Sequence, residues 1–215
     1  RLGNAELRPE TTSQFNIGAT WESNSEREKG VSVRLTADGY VNLIRDMIVA
    51  VPYNMFIWNN INIGKATAKG IDVTANVAIP LGIRQVLTLN GNWSWQRVLN
   101  RTNPKSSYYG YQPAYMPVNS GAGSITWENP WVDVTLSGTG VSSRWSTSQH
   151  SDDTRIDGYA DFNLTLQRSF RLPRSQSLDL RLDLRNLLNT QYEVIRLYPM
   201  PRFNYMLSIT WNLQG

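Results

Sequence analysis

The chain of 215 residues contains no cysteine and one histidine, His150, so it has neither a disulfide framework nor a thiolate metal site. No stretch approaches the roughly 18 consecutive apolar residues of a membrane helix. Charge is sparse as well: 18% of residues are charged and the formal net charge is +4. The 21 basic residues are spread over the chain and form no block, which speaks against a nucleic-acid surface. No charged and then apolar leader opens the chain at Arg1, so it is expected to be processed or a piece of something longer. A hydrophobic fraction of 40% and a mean hydropathy of −0.39 resemble those of a soluble protein, but a transmembrane β-barrel, half of whose strand residues are polar, passes the same tests.

What is present is alternation. Residues Phe203 to Leu213 carry a large apolar side chain at every odd position and mostly polar or small residues between them. Leu178, Leu180, Leu182 and Leu184 alternate with Asp179, Arg181, Asp183 and Arg185, which a strand with two dry faces could not accommodate. Phe162, Leu164 and Leu166, then Val132, Val134 and Leu136, then Ile71, Val73, Ala75 and Val77 repeat the pattern. At about 100° per residue these positions would scatter around a helix, so period two selects strands. Since lipid offers the backbone no hydrogen bonds, only helices and closed barrels span a bilayer. Strands with one greasy and one wet face therefore predict an all-β fold: an antiparallel transmembrane β-barrel segment.

Turn punctuation predicts about nine strands, near 11–22, 31–49, 63–79, 85–97, 116–128, 131–145, 158–169, 177–187 and 203–213. Short connections at 23–30, 80–84, 129–130 and 170–176 alternate with longer ones at 50–62, 98–115, 146–157 and 188–202, as periplasmic turns alternate with extracellular loops. On that topology Trp21, Trp127, Trp131 and Trp211 fall at periplasmic strand ends, and Trp93, Trp95 and Trp145 toward outer ends. Two aromatic belts are expected of such a barrel, whereas a soluble β-sandwich would hold its tryptophans mid-strand. Bacterial single-chain barrels have an even number of strands, so nine strands predict a part of a larger cylinder.

Five segments resemble the C-terminal half of the barrel of a TonB-dependent outer-membrane receptor. They are Asn4-Ala5-Glu6-Leu7-Arg8-Pro9-Glu10-Thr11, Asn42 to Ile48, Asn62-Ile63-Gly64-Lys65-Ala66 with Lys69-Gly70-Ile71, Arg185 to Glu193, and Tyr198 to Arg202 ahead of the last strand. They stand in family order and cover essentially the whole chain. The first departs from the family pattern at Ala5, where proline is usual, and the tail Leu213-Gln214-Gly215 departs from the usual terminal aromatic. The resemblance implies a 22-stranded barrel around a plug domain. Residues 1–215 would then be the C-terminal portion of that barrel without the plug. It further implies an active-transport receptor of the Gram-negative outer membrane for a scarce nutrient such as a ferric siderophore or cobalamin. Implied partners are outer-membrane lipid and lipopolysaccharide, the plug and remaining strands, the inner-membrane TonB complex and a small-molecule ligand; no cofactor, metal or nucleic acid is implied. A passive porin or small outer-membrane barrel is the alternative.

No catalytic constellation is expected. His150, with Asp152 and Asp153 close by, sits in a polar loop and is expected to be solvated. Recognition is expected in the extracellular loops. Loop 50–62 offers Tyr53, Met55, Phe56 and Trp58; loop 98–115 offers Arg101, Lys105, Tyr108, Tyr109, Tyr111 and Tyr115. Trp58, Arg101, Tyr108, Tyr109 and Tyr111 are the candidate ligand residues, because aromatic rings with polar tips suit a flat ligand and adjacent cations suit its anionic groups. The ladder Asp179, Arg181, Asp183 and Arg185 is expected to face the lumen. There it would pair across strands with Arg168 or Asp161, or meet the plug through charge-assisted hydrogen bonds.

Overall fold

The computed structural model describes residues 4–24, 30–52, 57–173 and 176–213. The strands in chain order are β1 (Thr11–Asn24), β2 (Ser32–Arg45), β3 (Ile48–Pro52), β4 (Trp58–Asn62), β5 (Ala66–Gly82), β6 (Gln85–Asn100), β7 (Asn119–Glu128), β8 (Asp133–Val141), β9 (Arg144–Trp145), β10 (Arg155–Ile156), β11 (Tyr159–Leu172), β12 (Gln176–Arg185), β13 (Glu193–Ile195), β14 (Tyr198–Pro199) and β15 (Asn204–Asn212). The one helical element among the described residues is a 3-10 turn, Asp152–Thr154.

Nine of these strands form one antiparallel sheet in the order β1-β2-β5-β6-β7-β8-β11-β12-β15, a meander in which each strand pairs with the next in the chain. They correspond to the nine strands that alternation predicts. Among the described residues, β1 and β15 each have only one neighbour, so the sheet has two free edges. The remaining strands lie in the long connections, as the two-stranded pairs β3–β4, β9–β10 and β13–β14. The strand expected over 31–49 therefore stops at Arg45: Asp46 takes a left-handed φ of 53°, and the chain turns into the β3–β4 hairpin.

Register partners share a face, and the rows keep the two chemistries apart. One row runs Leu89, Ile125, Leu136, Leu164, Leu184 and Tyr205; beside it lie the pairs Leu182–Leu207, Leu180–Ile209 and Leu178–Trp211. Among the described residues nothing covers this face, and Ile17 at 80% and Ile209 at 64% exposed show it to be open. The opposite face is polar and hydrogen-bonded across strands: Ser94 donates to Asp72, Thr126 and Thr135 share a bond of 3.1 Å, and Thr165 donates to Asp183 at 2.7 Å. A soluble sandwich would hide the leucine face against a second layer. Here that face is bare, as a surface that lipid solvates would be.

The largest buried apolar cluster lies on the other side. Met47 and Val49 bring the β3–β4 hairpin down onto Ile44, Ala66, Ala68 and Val98 of the sheet, with Ile61, Ile63 and Met116 around them. Hydrogen bonds from Met47 N to Gly64 O and from Ile63 N to Met47 O, both 2.9 Å, fix the fold-over, and Gly64 supplies a φ of 81° that a side chain would resist. The hairpin thus roofs the polar face at the long-loop end of β2, β5 and β6. Below it Tyr40 lies flat over Gly70, where an added Cβ would come within 2.5 Å of the ring.

Three of the five segments that carry the family resemblance meet here. Arg8 pairs with Asp46 at 2.7 Å, and Asn62 accepts from the Arg8 amide and donates to the carbonyls of Arg8 and Asp46. Glu10 accepts from the Ile48 amide at 2.8 Å. Their side chains therefore stitch the approach to β1 onto the hairpin.

Candidate functional site

At the far end of the sheet the polar face is uncovered. Strands β8, β11, β12 and β15, with the β12–β15 connection, bound a cavity of about 420 Å³ lined by Asp161, Arg181, Asp183, Arg185, Asn186 and Tyr192 among others. The four ladder residues lie on this face, alternating with the outward leucines. Their ion pairs run along the strand, their cross-strand partners are Thr165 and Asn212, and neither Arg168 nor Asp161 pairs with them. The buried Asp183 accepts from Arg181 Nε at 3.0 Å and lies 4.0 Å from Arg185, and Asp179 accepts from Asn212 at 2.8 Å. Arg168 is opposite Leu180 in register, which places it on the apolar face, where it donates to the Pro130 carbonyl. Asp161 accepts from the Tyr192 hydroxyl at 3.1 Å, and its other oxygen is buried without a partner.

The loops above close by stacking. Tyr192 stacks on Tyr159 at 4.1 Å, and burial, reinforced by the bond to Asp161, pushes its phenol up to about 12. Arg144, only 4% exposed, donates to the carbonyls of Glu193 and Val194 at 3.0 and 2.9 Å and lies 5.9 Å from the centre of the Tyr159 ring. Burial holds its guanidinium below the usual arginine value, an effect that Tyr159 and Tyr115 oppose. Its second terminal nitrogen, Nη1, is buried without a partner. Arg144 thereby ties β9 to β13.

His150 is not solvated as expected. It lies between Tyr111 at 4.6 Å and Trp145 at 4.1 Å, both nearly parallel to it, while Nε2 bonds the Gln112 carbonyl at 2.8 Å. This sandwich joins the β6–β7 and β9–β10 loops, and it takes Trp145 out of the outer belt into which its place in the sequence puts it. The other loop candidates separate. Tyr108, Tyr109 and Tyr111 are partly exposed in the β6–β7 loop, where Tyr111 is held against the end of β6 by the Asn100 amide. The Arg101 guanidinium lies 5.1 Å from the centre of the Tyr109 ring, on the outward side of the sheet beside Arg45 and Lys65. Tyr53, Met55 and Phe56 fall outside the described residues, and of Trp58 only the backbone, in β4, is described.

Sequence reasoning passes over Arg144 and leaves Asn186 as one letter of a motif. Asn186, 2% exposed, donates to the carbonyls of Thr190 and Pro201 and accepts from the Thr190 amide, so one amide clamps the whole β12–β15 connection. An Asn just after the alternation ends is a readable signal, since Asn tolerates the left-handed φ of 51° found there. Arg144 has no such signal: its partners are backbone carbonyls some fifty residues away.

A sequence profile of the family described as "TonB dependent receptor-like, beta-barrel" matches residues 1–187. No curated protein matches the chain in sequence. Among solved structures the chain is similar to BauA, the ferric preacinetobactin receptor from Acinetobacter baumannii, with a TM-score of 0.62 and 16% identity over 93% of this chain and 29% of that one. It is similar to the copper transporter OprC, with a TM-score of 0.63 and 15% identity over 95% and 31%. FyuA, the ferric yersiniabactin uptake receptor from Yersinia pestis, gives 0.58 and 16% over 93% and 28%. The chain spans about three tenths of the length of these structures.

Proposed function

Given that this chain belongs to the TonB-dependent receptor β-barrel family, we propose that it is the C-terminal wall of an outer-membrane receptor that takes up a scarce nutrient by energised transport. On this reading residues 1–215 complete a cylinder with further strands and enclose a plug, the protein resides in a Gram-negative outer membrane, and it catalyses no reaction. The observation that carries it is the pair of free sheet edges on a surface with one bare apolar face: an open sheet would leave unpaired backbone groups in lipid, so more strands must close it. That also disfavours a small self-contained porin.

The charged cavity is the contact surface for the plug. Arg181 and Arg185 are half exposed there, and the buried Asp161 oxygen lacks a donor that a plug residue would supply. Ligand recognition falls to the β6–β7 loop, with the exposed Tyr108, Tyr109 and Tyr111 as aromatic contacts and Arg101 for anionic groups, and to Trp58 of β4 as a further aromatic contact. A ferric chelate is the favoured cargo, since BauA and FyuA are both named for one; copper, cobalamin or a related complex is the second choice.

The test is growth of a strain carrying the full-length receptor on ferric siderophores as sole iron source, with and without TonB. Growth that needs both is expected. Uptake that persists without TonB and never saturates would establish a passive pore instead. Replacing Arg181 and Arg185 with Gln should raise leakage of small solutes through the receptor, and unchanged leakage would remove the plug contact.

A further inference from the structure

A cavity of about 650 Å³ lies on the polar face below the β3–β4 hairpin, lined by Asp38, Tyr40, Asn42, Met47, Asp72 and Met116 among others. Its two carboxylates are register partners, Asp38 on β2 and Asp72 on β5. Like charges set directly opposite each other in a sheet repel. The two side chains lean apart accordingly: Asp38 lies across Gly18 of β1, where an added Cβ would overlap its Oδ1, and Asp72 turns to β6 and accepts from the Ser94 hydroxyl at 2.5 Å. No basic side chain among the described residues lines the cavity or enters the gap between them. Arg34, the one basic residue on this face of β2, is taken by Glu22 at 3.2 Å.

The other end of the cavity offers a second unmet group. Asn42 lies four residues further along β2, and its Oδ1 is buried without a partner. At about 3.3 Å per residue the two ends are about 13 Å apart. Neighbouring amides are already spent, Gln14 donating to Asn16 at 3.2 Å and Gln96 to the Pro117 carbonyl at 3.3 Å. The unmet groups, the opposed carboxylates and Asn42 Oδ1, are therefore all acceptors. Between them the Tyr40 ring lies flat over Gly70, and Met47, Val98 and Met116 add apolar lining. A hard metal ion gathers about six or more oxygens around one point, which acceptors split between two ends with an apolar stretch between them do not provide. The group that fits is long, cationic at one end, a donor at the other and apolar in the middle.

We propose that this cavity binds a linear aliphatic diamine, with one ammonium between Asp38 and Asp72 and the other donating to Asn42 Oδ1. Its methylenes then run along Tyr40 and beneath Met47 and Met116. Charge-assisted hydrogen bonds to two carboxylates anchor the first end and relieve their repulsion. The face of the Tyr40 ring attracts the cation, and the flexible methionine thioethers adapt to the chain. The site rests on the receptor reading only in that this face then lines the lumen. It lies on the wall, apart from the loop tyrosines, and takes a ligand other than the transported chelate.

The test is titration calorimetry of the full-length receptor with 1,8-diaminooctane, with 1,8-octanediol as the uncharged probe and calcium as the competing ion. Saturable binding of the diamine is expected, about tenfold or more tighter than that of the diol. Asp38→Asn with Asp72→Asn keeps the shape and removes the charge, and it should weaken the diamine by about tenfold or more while leaving the diol unchanged. Asn42→Leu should weaken the diamine by about threefold. Equal affinity for diol and diamine, or an unchanged diamine affinity in the double Asn variant, overturns the site. An unchanged affinity in Asn42→Leu overturns its reach to that end. Displacement of the diamine by equimolar calcium would identify a metal site and overturn the organic ligand. Heat-modifiable gel migration reports barrel formation separately. A wild-type protein that forms no barrel refutes the receptor placement, and a barrel that takes up no diamine, as when the plug already fills the cavity, refutes only this site.

Discussion

The polar face of the sheet is treated in opposite ways at its two ends. Over β2, β5 and β6 it is small and apolar at the top, with Ala66, Ala68 and Val98 roofed by Met47 and Val49 of the hairpin. Over β8, β11 and β12 it is charged, and the β12–β15 connection above it is fastened to β11 by a stacked tyrosine pair and to β9 by a buried arginine. Hydrophobic burial closes the first end and directional polar contacts frame the second. Burial is insensitive to orientation and seals a surface for good. A hydrogen-bonding surface keeps unspent donors and acceptors, such as Asp161 Oδ1 and Arg144 Nη1, for a further partner.

Changes that strike the sealed end should have the largest effects. Gly70→Val places branched carbons where the Tyr40 ring lies, with the first already within 2.5 Å, so it should destabilise the barrel by about 3 kcal/mol and lower the yield of the heat-modifiable form. Adding Tyr40→Ala should recover most of that loss; no recovery would mean that Gly70 matters for its backbone alone. Met47→Ala should cost about 2 kcal/mol, the low end for a truncated core methionine because the cluster is small and lies at the strand ends. Hydrogen exchange should locate the loss at the amides of Met47 and Ile63, which hold the fold-over. If the damage instead spread evenly to β11 and β12, the two ends would not be independent.

These same residues show what a linear reading captures. Period two depends on consecutive side chains only, so the nine sheet strands, their faces and the outward leucines of β12 are all legible from alternation. The hairpin is not. Its residues read as the end of a strand through 49 and a loop over 50–62, because nothing local says that Asp46 takes a left-handed turn and folds the next segment across a wall contributed by β5 and β6. His150 and Arg144 fail for a related reason: their surroundings come from loops far apart in sequence, and a polar neighbourhood along the chain becomes an aromatic or carbonyl one in space. The ladder is legible as one polar face of β12, but its pairing is not, since alternation fixes the face of a side chain and leaves its partner open.

At the open end, single polar changes should be milder. Asp183→Asn removes the acceptor charge from Arg181 while keeping the shape, and with Arg181 half exposed and screened it should cost about 1–2 kcal/mol. A double-mutant cycle with Arg181→Gln should return a coupling of about 1 kcal/mol, since the two are in contact. A coupling near zero would leave Thr165, at 2.7 Å, as the partner that matters to Asp183.

The smallest effect is expected at Tyr192, and pH makes it specific. Its phenol is raised from 10.0 to about 12, by burial first and then by the bond to Asp161, so the folded loops favour the neutral hydroxyl. For a folded value above the unfolded one, this contribution is fully present below pH 10 and is lost as the pH climbs to about 12. Tyr192→Phe removes the donor to Asp161 and keeps the ring stacked on Tyr159, which should cost about 1 kcal/mol below that window. The gap in thermal midpoint between wild type and variant should close across it. Tyrosinate absorbance supplies the direct check: subtracting the variant's titration from that of wild type should leave one phenol ionising near 12. A difference curve centred at 10 would show that the loops open before the hydroxyl ionises, and that stacking and the Arg144 tie hold the charged end more loosely than the apolar hairpin holds the other.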